Sequence, residues 1–315
     1  MIIRLCLAPV DVRELLRESL HDRMKSEVMT SATLTVDRTF QFFQDRAGLP
    51  KISADEEEQE PEYDEDGLPI INRTPAMARP VETELLSTPF DYRRQVFFAV
   101  PTDLPDPRDG EFERGLVDMI NRAVAVTGGR AFVLFTSYGQ LNRVHRQCEP
   151  VLQTLGIEAL RQGKESRDRL LQRFREDETS VLFATASFWE GVDVKGRALE
   201  LLIMARLPFS VPTEPVQEAQ FELLQAQGRD PFENLVVPRA VIRFKQGFGR
   251  LIRSRTDRGA VLIADRRVVQ MRYGRRFLYS LPDINLRKGM VLDLMNEMQD
   301  FFNDPVSAEP PGVAS

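Results

Sequence analysis

Cysteine, tryptophan and long apolar runs are all scarce in this chain. Its 315 residues include two cysteines, Cys6 and Cys148, which offer neither metal-ligand spacing nor a disulfide framework. Both read as buried apolar side chains, and no metal site is expected. No apolar run reaches the ~18 residues that a membrane-crossing helix needs, so no membrane partner is expected. The first residues are interrupted too soon by Asp11 to read as a secretory signal, and a cytoplasmic location is the expectation. Glycine, proline and charge contents are those of an ordinary globular protein, with length for one large or two ordinary domains.

What charge there is lies unevenly. The net charge is −6, yet residues 53–66 hold nine acidic groups and no basic one. Residues 239–290 carry fourteen Lys and Arg against three Asp and Glu, a local net of +11. Such a basic third steers a polyanion whatever the chain average is. The acidic run belongs to a stretch, 51–86, that reads as a flexible surface insertion and linker.

The stretch from Pro238 to Arg258 organises the rest. Taken as one helix, it has a core face in Val241, Phe244, Phe248 and Leu251. Gln246, Arg250 and Arg253 fall on the other side, within about 60° of one another at about 100° per residue. Gly247 and Gly249 would each cost about 0.8–1.0 kcal/mol against alanine in a helix interior. They point to a distorted turn, or to close approach by a backbone or a phosphate beside Arg250. Two guanidiniums and an amide suit an anion whose charge grows during reaction. The same pattern also fits the solvated basic face of an amphipathic helix.

From Ser87 the pattern is α/β. Strands are predicted ending near 100, over 131–135 and 181–184, within 198–209, and last in GAVLIADRRV, with Asp265 and Arg266 at its end. Helices are predicted over about 110–126, from Tyr138, from Ser166 to Arg175, and along RRVVQMRYGRRFLYSLP. Two loops after buried strands stand out. Thr136, Ser137 and Tyr138 open a helix, where hydroxyls and free N–H groups suit a phosphate, although they also make an ordinary N-cap. Thr185, Ala186 and Ser187 lead through Phe188, Trp189 and Glu190 to Gly191, Val192 and Asp193. In open α/β sheets ligands gather where this second loop begins, at the carboxyl ends of strands. Gly191 supplies backbone freedom, Asp193 a carboxylate for a hydroxyl or a facing arginine. Trp189 reads as a packing anchor or as a stacking platform. Gly163-Lys164 lacks the other elements of a P-loop. Residues 1–34 read as strand, helix, strand, with the small polar run Thr30, Ser31, Ala32, Thr33 at the end, and residues 35–50 as a helix closed by Gly48 and Pro50.

The ordered set Gln246, Gly249, Arg250, Arg253 resembles motif VI of superfamily 2 helicases, and the string QGFGRLIRSRTDRGAVLIADRR resembles the DinG/XPD branch in particular. SFWEGVDVKG is similar to motif V, the Thr136–Tyr138 loop to motif IV, and Thr30–Thr33 to motif III. The match covers most of the chain outside 51–80 and the last dozen residues. The resemblance implies a RecA-like second motor domain, a mostly parallel sheet flanked by helices, over 87–303. A remnant of the first RecA-like domain precedes it over 1–50, and a disordered tail follows over 304–315. It further implies that Arg250 and Arg253 stabilise charge on the γ-phosphate of ATP, with Gln246 ordering the same network. Glu190, Gly191, Asp193 and Gly249 would face the nucleotide. Thr136, Ser137, Tyr138, Thr185 and Ser187 would contact single-stranded DNA, and Thr30–Thr33 would couple the two.

The departures from the family are as plain. No G-x-x-x-x-G-K-[ST] occurs, and no D-E-A-H-type strand end stands ready for Mg²⁺. The four cysteines of the iron–sulfur cluster found in many relatives are absent. The expectation is a half-motor, inactive without a P-loop domain in cis or trans. The alternatives are a non-catalytic nucleic-acid-binding module with a vestigial helicase fold, and an unrelated α/β enzyme acting on an anionic substrate.

Overall fold

In a computed structural model, residues 8–49, 81–185, 188, 199–210 and 215–304 are described. The chain forms two compact units: Met1–Leu86 with Val211–Pro238, and Ser87–Ser210 with Arg239–Ser315. The sequence reading put 211–238 inside a continuous domain from 87 to 303. Its place in the first unit comes from long-range packing: Gln220, on the helix Pro215–Ala226, donates to the Val10 carbonyl at 3.2 Å.

In the first unit the helix expected over 35–50 is confined to Gln41–Ala47. Gly48 ends it in the left-handed region at φ 72°, where an added Cβ would stand 2.5 Å from the Arg13 carbonyl oxygen. The strand expected over 26–34 does not form, and these residues pair with no described strand. A strand is stable only with a hydrogen-bonding neighbour, and the one local bridge among the described residues, Val36 to Thr39, is a tight turn.

The second unit is built on seven parallel strands. They are β1 (Val96–Pro101), β2 (Ala131–Phe135), β3 (Ala159–Arg161), β4 (Val181–Thr185), β5 (Leu201–Met204), β6 (Gly259–Ile263) and β7 (Leu286–Gly289), in the order 3-4-2-5-6-1-7. β1, β2, β4, β5 and β6 are buried along their whole length, as their unbroken apolar runs require of a sheet covered on both faces. Alternation assigns the two layers. Phe97, Val133, Phe183, Ile203 and Leu262 join the core beneath the helices Phe112–Thr127, Tyr138–Thr154 and Val291–Asn303. On the other face Phe132 meets Phe174 at 6.0 Å between ring centroids and Phe98 meets Phe248 at 6.2 Å, bringing in the helices Arg167–Glu176 and Val237–Phe248.

Two elements correct the sequence reading. β6 is not the last strand: β7 pairs outside β1, with Arg287 and Lys288 in an edge strand that carries no hydrophobic run to betray it. The long basic helix after Asp265 is two short ones, Arg267–Gln270 and Gly274–Tyr279. At the break, a Cβ on Gly274 would stand 2.2 Å from the Val268 carbonyl oxygen.

The chain has two histidines, one in each unit, and their environments oppose each other. His21 sits 2.7 Å from a Glu27 carboxylate oxygen and 2.8 Å from the Ala47 carbonyl, so both ring nitrogens face acceptors. Burial works against its charged form, but Glu27 and the helix-end carbonyl outweigh it and raise the pKa. Its contribution is therefore full below about pH 6.5 and lost as pH rises through the folded value. His145 is buried, donates to the Ala159 carbonyl at 3.0 Å, and has its pKa lowered by burial. Its contribution is present above about pH 6.5 and lost as pH falls through the folded value. An NMR titration of the two imidazoles should give one midpoint on each side of the ordinary value, and coincident midpoints would contradict both environments.

Candidate nucleotide and nucleic-acid sites

The helix that carries Gln246 ends at Phe248, earlier than its apolar period suggested. Gly249 N–H makes the last i→i−4 bond, to Lys245, and Arg250 and Leu251 then bond back only three residues, to Gly247 and Phe248. The core face nonetheless holds, with Val241, Phe244, Phe248 and Leu251 all buried. The other face does not continue as a helix. Arg250 lies in the tight turn and Arg253 in the loop beyond it, so a rotation of about 100° per residue no longer relates them to Gln246. Gly249 keeps a negative φ, and its added Cβ would stand 3.3 Å from the Lys245 carbonyl oxygen, so crowding within the turn is its constraint.

That loop is pinned at the amino edge of the sheet. Asp257 accepts from the backbone N–H groups of Arg253 and Ser254, both at 2.8 Å, and from the Ser254 hydroxyl at 2.7 Å. Gln95, just before β1, donates its amide to the carbonyls of Ser254 and Asp257 at 2.9 and 2.8 Å. The backbone of Arg253 is thereby held independently of its side chain. Burial lowers the Arg253 pKa, with Asp257 opposing the shift and Arg175 adding to it. Arg175, at the end of the helix Arg167–Glu176, is thus close enough to add its positive charge to that of Arg253. Gln95 and Asp257 escaped the sequence reading because they act through backbone groups and lie 162 residues apart.

At the opposite, carboxyl edge stand the hydroxyl-bearing loops. Thr136, Ser137 and Tyr138 follow β2 and are exposed, and Ser137 caps the next helix by accepting from the Gln140 N–H at 3.3 Å. Thr185, at the end of β4, is 6% exposed, with its N–H and its hydroxyl directed at Gln162 Oε1, at 2.7 and 3.0 Å. Gln162 Nε2 in turn donates to the Tyr138 hydroxyl. Arg167 donates to the Phe188 carbonyl at 3.1 Å and lies 5.5 Å from its ring centroid. The sequence reading missed Gln162 and Arg167. Gly163-Lys164 beside them draws a P-loop comparison, and Arg167 falls within the helix predicted from Ser166 to Arg175, so neither side chain stands out as part of a site. Ala186, Ser187, Trp189, Glu190, Gly191, Val192 and Asp193 lie outside the described residues.

The same edge holds a buried ion pair. Asp265, fully buried, accepts from Arg267 Nε and Nη2 at 2.8 and 2.6 Å and from the Leu207 N–H at 3.0 Å. The hydrogen bonds that Arg267 donates to Asp265 raise the Arg267 pKa against the cost of burial. Next to it Arg206 lies 5.6 Å from the Phe112 ring centroid, and burial lowers its pKa.

In the first unit, Thr30, Ser31 and Ala32 are exposed, and Thr33 N–H donates to the Ser31 hydroxyl at 3.2 Å. Cys148 is buried and its thiol is pushed up to about 12 by burial, which leaves it unreactive at neutral pH.

An all-parallel sheet between two helical layers gives the second unit the architecture of a RecA-like domain. The helicase C-terminal domain family matches residues 120–284, and the chain belongs to that family. It is 36% identical over 277 residues to the ATP-dependent DNA helicase YoaA of Haemophilus influenzae, covering 88% of this chain and 38% of that protein. It is 33% identical over 279 residues to the 3′-5′ exonuclease DinG of Bacillus subtilis, covering 87% of this chain and 27% of that protein. Among solved structures, apo XPD aligns with a TM-score of 0.48 at 16% identity, over 62% of this chain and 40% of that one. By its family match and these curated relatives the chain resembles the C-terminal part of a DinG-like helicase, and it spans under two fifths of the length of these two proteins.

Proposed function

We propose that this chain supplies the second motor domain of a DinG-like, ATP-dependent DNA helicase that moves along single-stranded DNA. Arg250 and Arg253 act as arginine fingers on the γ-phosphate of ATP, whose Mg²⁺ is held by a P-loop domain supplied in cis or in trans. Gln246 orders that network, and Glu190, Gly191, Asp193 and Gly249 contact the nucleotide. Thr136, Ser137, Tyr138, Thr185 and Ser187 serve the strand, and residues 1–50 are the end of a first motor domain in which Thr30–Thr33 couple nucleotide state to grip. The reading places the protein in the cytoplasm. The observation that supports it is the separation of the two loop sets: the arginine loop is pinned by Gln95 and Asp257 at the amino edge, and the hydroxyl-bearing loops end strands at the carboxyl edge. Chemistry and grip then sit apart and must be linked through the sheet, as a motor requires.

Without a G-x-x-x-x-G-K-[ST] sequence the chain has no cradle for the β- and γ-phosphates, so it hydrolyses no ATP alone. The direct test is ATP turnover with and without single-stranded DNA, alone and after adding a P-loop domain from a DinG-like protein. Turnover only in the mixture supports the half-motor. DNA-stimulated turnover by the isolated chain would overturn it. The net of +11 over residues 239–290 also favours a second reading, a nucleic-acid-binding module without catalysis. Salt-sensitive DNA binding with no turnover in any mixture would select that reading.

A further inference from the structure

We propose that Gln162 is a positioning residue for bound single-stranded DNA: its side-chain amide sets the ring of Tyr138 as a face on which a base stacks. The inference rests on the strand-binding reading above and names a residue and a contact that reading does not contain. β3, β4 and β2 are neighbours in the sheet, so the residues that follow them meet at one place. Gln162 directly follows β3, and its own N–H is fixed by the Phe183 carbonyl at 3.0 Å. Its Oε1 is occupied by the two donors of Thr185, at 2.7 and 3.0 Å, which determines which way the amide faces. Nε2 must then point the other way, where it donates to the Tyr138 hydroxyl.

Tyr138 is anchored at its far end while 51% exposed. An aromatic ring that is open to solvent yet held by its hydroxyl loses little further freedom when a base stacks on it. Thr185 has a different part in this arrangement. At 6% exposed, with both donors directed at Gln162, it acts on the strand through Gln162 and Tyr138. The end of β4 and the start of the helix Tyr138–Thr154 are thereby joined by one amide, so a shift of either moves the stacking face.

The test is fluorescence anisotropy of a labelled oligothymidylate with the full chain and four variants. Tyr138→Ala should weaken binding about ten-fold or more, because it removes the stacking face. Gln162→Ala and Tyr138→Phe, which cut the same link from its two ends, should each weaken it about three- to ten-fold. The double variant Gln162→Ala with Tyr138→Phe should bind no more weakly than the weaker single, since there is one link to lose. Tyr138→Phe binding like the unmodified chain, or losses that add in the double variant, would overturn the inference. Tyr138→Phe keeps the ring and all its packing, so it tests the link even where Gln162→Ala fails to fold. Binding by the unmodified chain that Tyr138→Ala leaves intact removes this inference alone. No binding by the unmodified chain removes the strand-binding reading and this inference with it.

Discussion

Arg250→Ala and Arg253→Ala should each abolish ATP hydrolysis in a motor reconstituted from this chain and a P-loop domain. An arginine finger contributes about 10³–10⁵ in rate by meeting charge that develops on the transferring phosphoryl group, and no neighbouring lysine or water replaces a fixed guanidinium. The fold should tolerate both changes. Arg250 is half-buried in a turn shaped by backbone bonds, and the backbone at Arg253 is held by Asp257 rather than by its own side chain. Strand binding should also be spared, because the hydroxyl-bearing loops stand at the other edge of the sheet. Steady-state turnover with saturating oligonucleotide, beside a melting curve and a DNA titration, separates the three effects. Unchanged turnover in either variant would remove the arginine-finger assignment, and a collapse of melting temperature would recast the loop as structural.

Asp265→Ala should be the most destabilising single change at the carboxyl edge. It removes the partner of a guanidinium whose side chain is 21% exposed and leaves the Leu207 N–H without its acceptor. Breaking one side of a buried pair costs about 3–5 kcal/mol, because the remaining charge stays desolvated. For a domain of this size that is a fall in melting temperature on the order of 10 °C. Asp265→Asn keeps one oxygen to accept from the Leu207 N–H and should cost less. The damage should reach the loop after β5, since the Arg267 guanidinium also lies 6.0 Å from the Phe209 ring centroid. A melting temperature unchanged in Asp265→Ala would show that this carboxylate does not carry the pair.

Much of the second unit was legible in the chain. The buried strands announced themselves as short apolar runs, and the N-cap at Ser137 and the burial of Val241, Phe244, Phe248 and Leu251 follow from local pattern alone. What failed was extrapolation of a local pattern beyond the point where the backbone stops obeying it. Gln246, Arg250 and Arg253 were placed on one helical face, yet two i→i−3 bonds end the helix before Arg253 is reached. β7 was missed because an edge strand containing Arg287 and Lys288 shows no core-facing run. The segment 211–238 groups with the first unit through packing between residues such as Gln220 and Val10, 210 positions apart, which no local pattern announces.

By itself the sequence determined the family and the order of its motifs, because both are written in contiguous residues. The tertiary structure decided which side chains those motifs meet. Gln95 reaches across 162 residues to hold the arginine loop, and Gln162 across 24 and 23 to join Tyr138 and Thr185. Neither glutamine carries a local signal. A side-chain amide is informative only once the sheet has brought its donor and its acceptor within hydrogen-bonding distance.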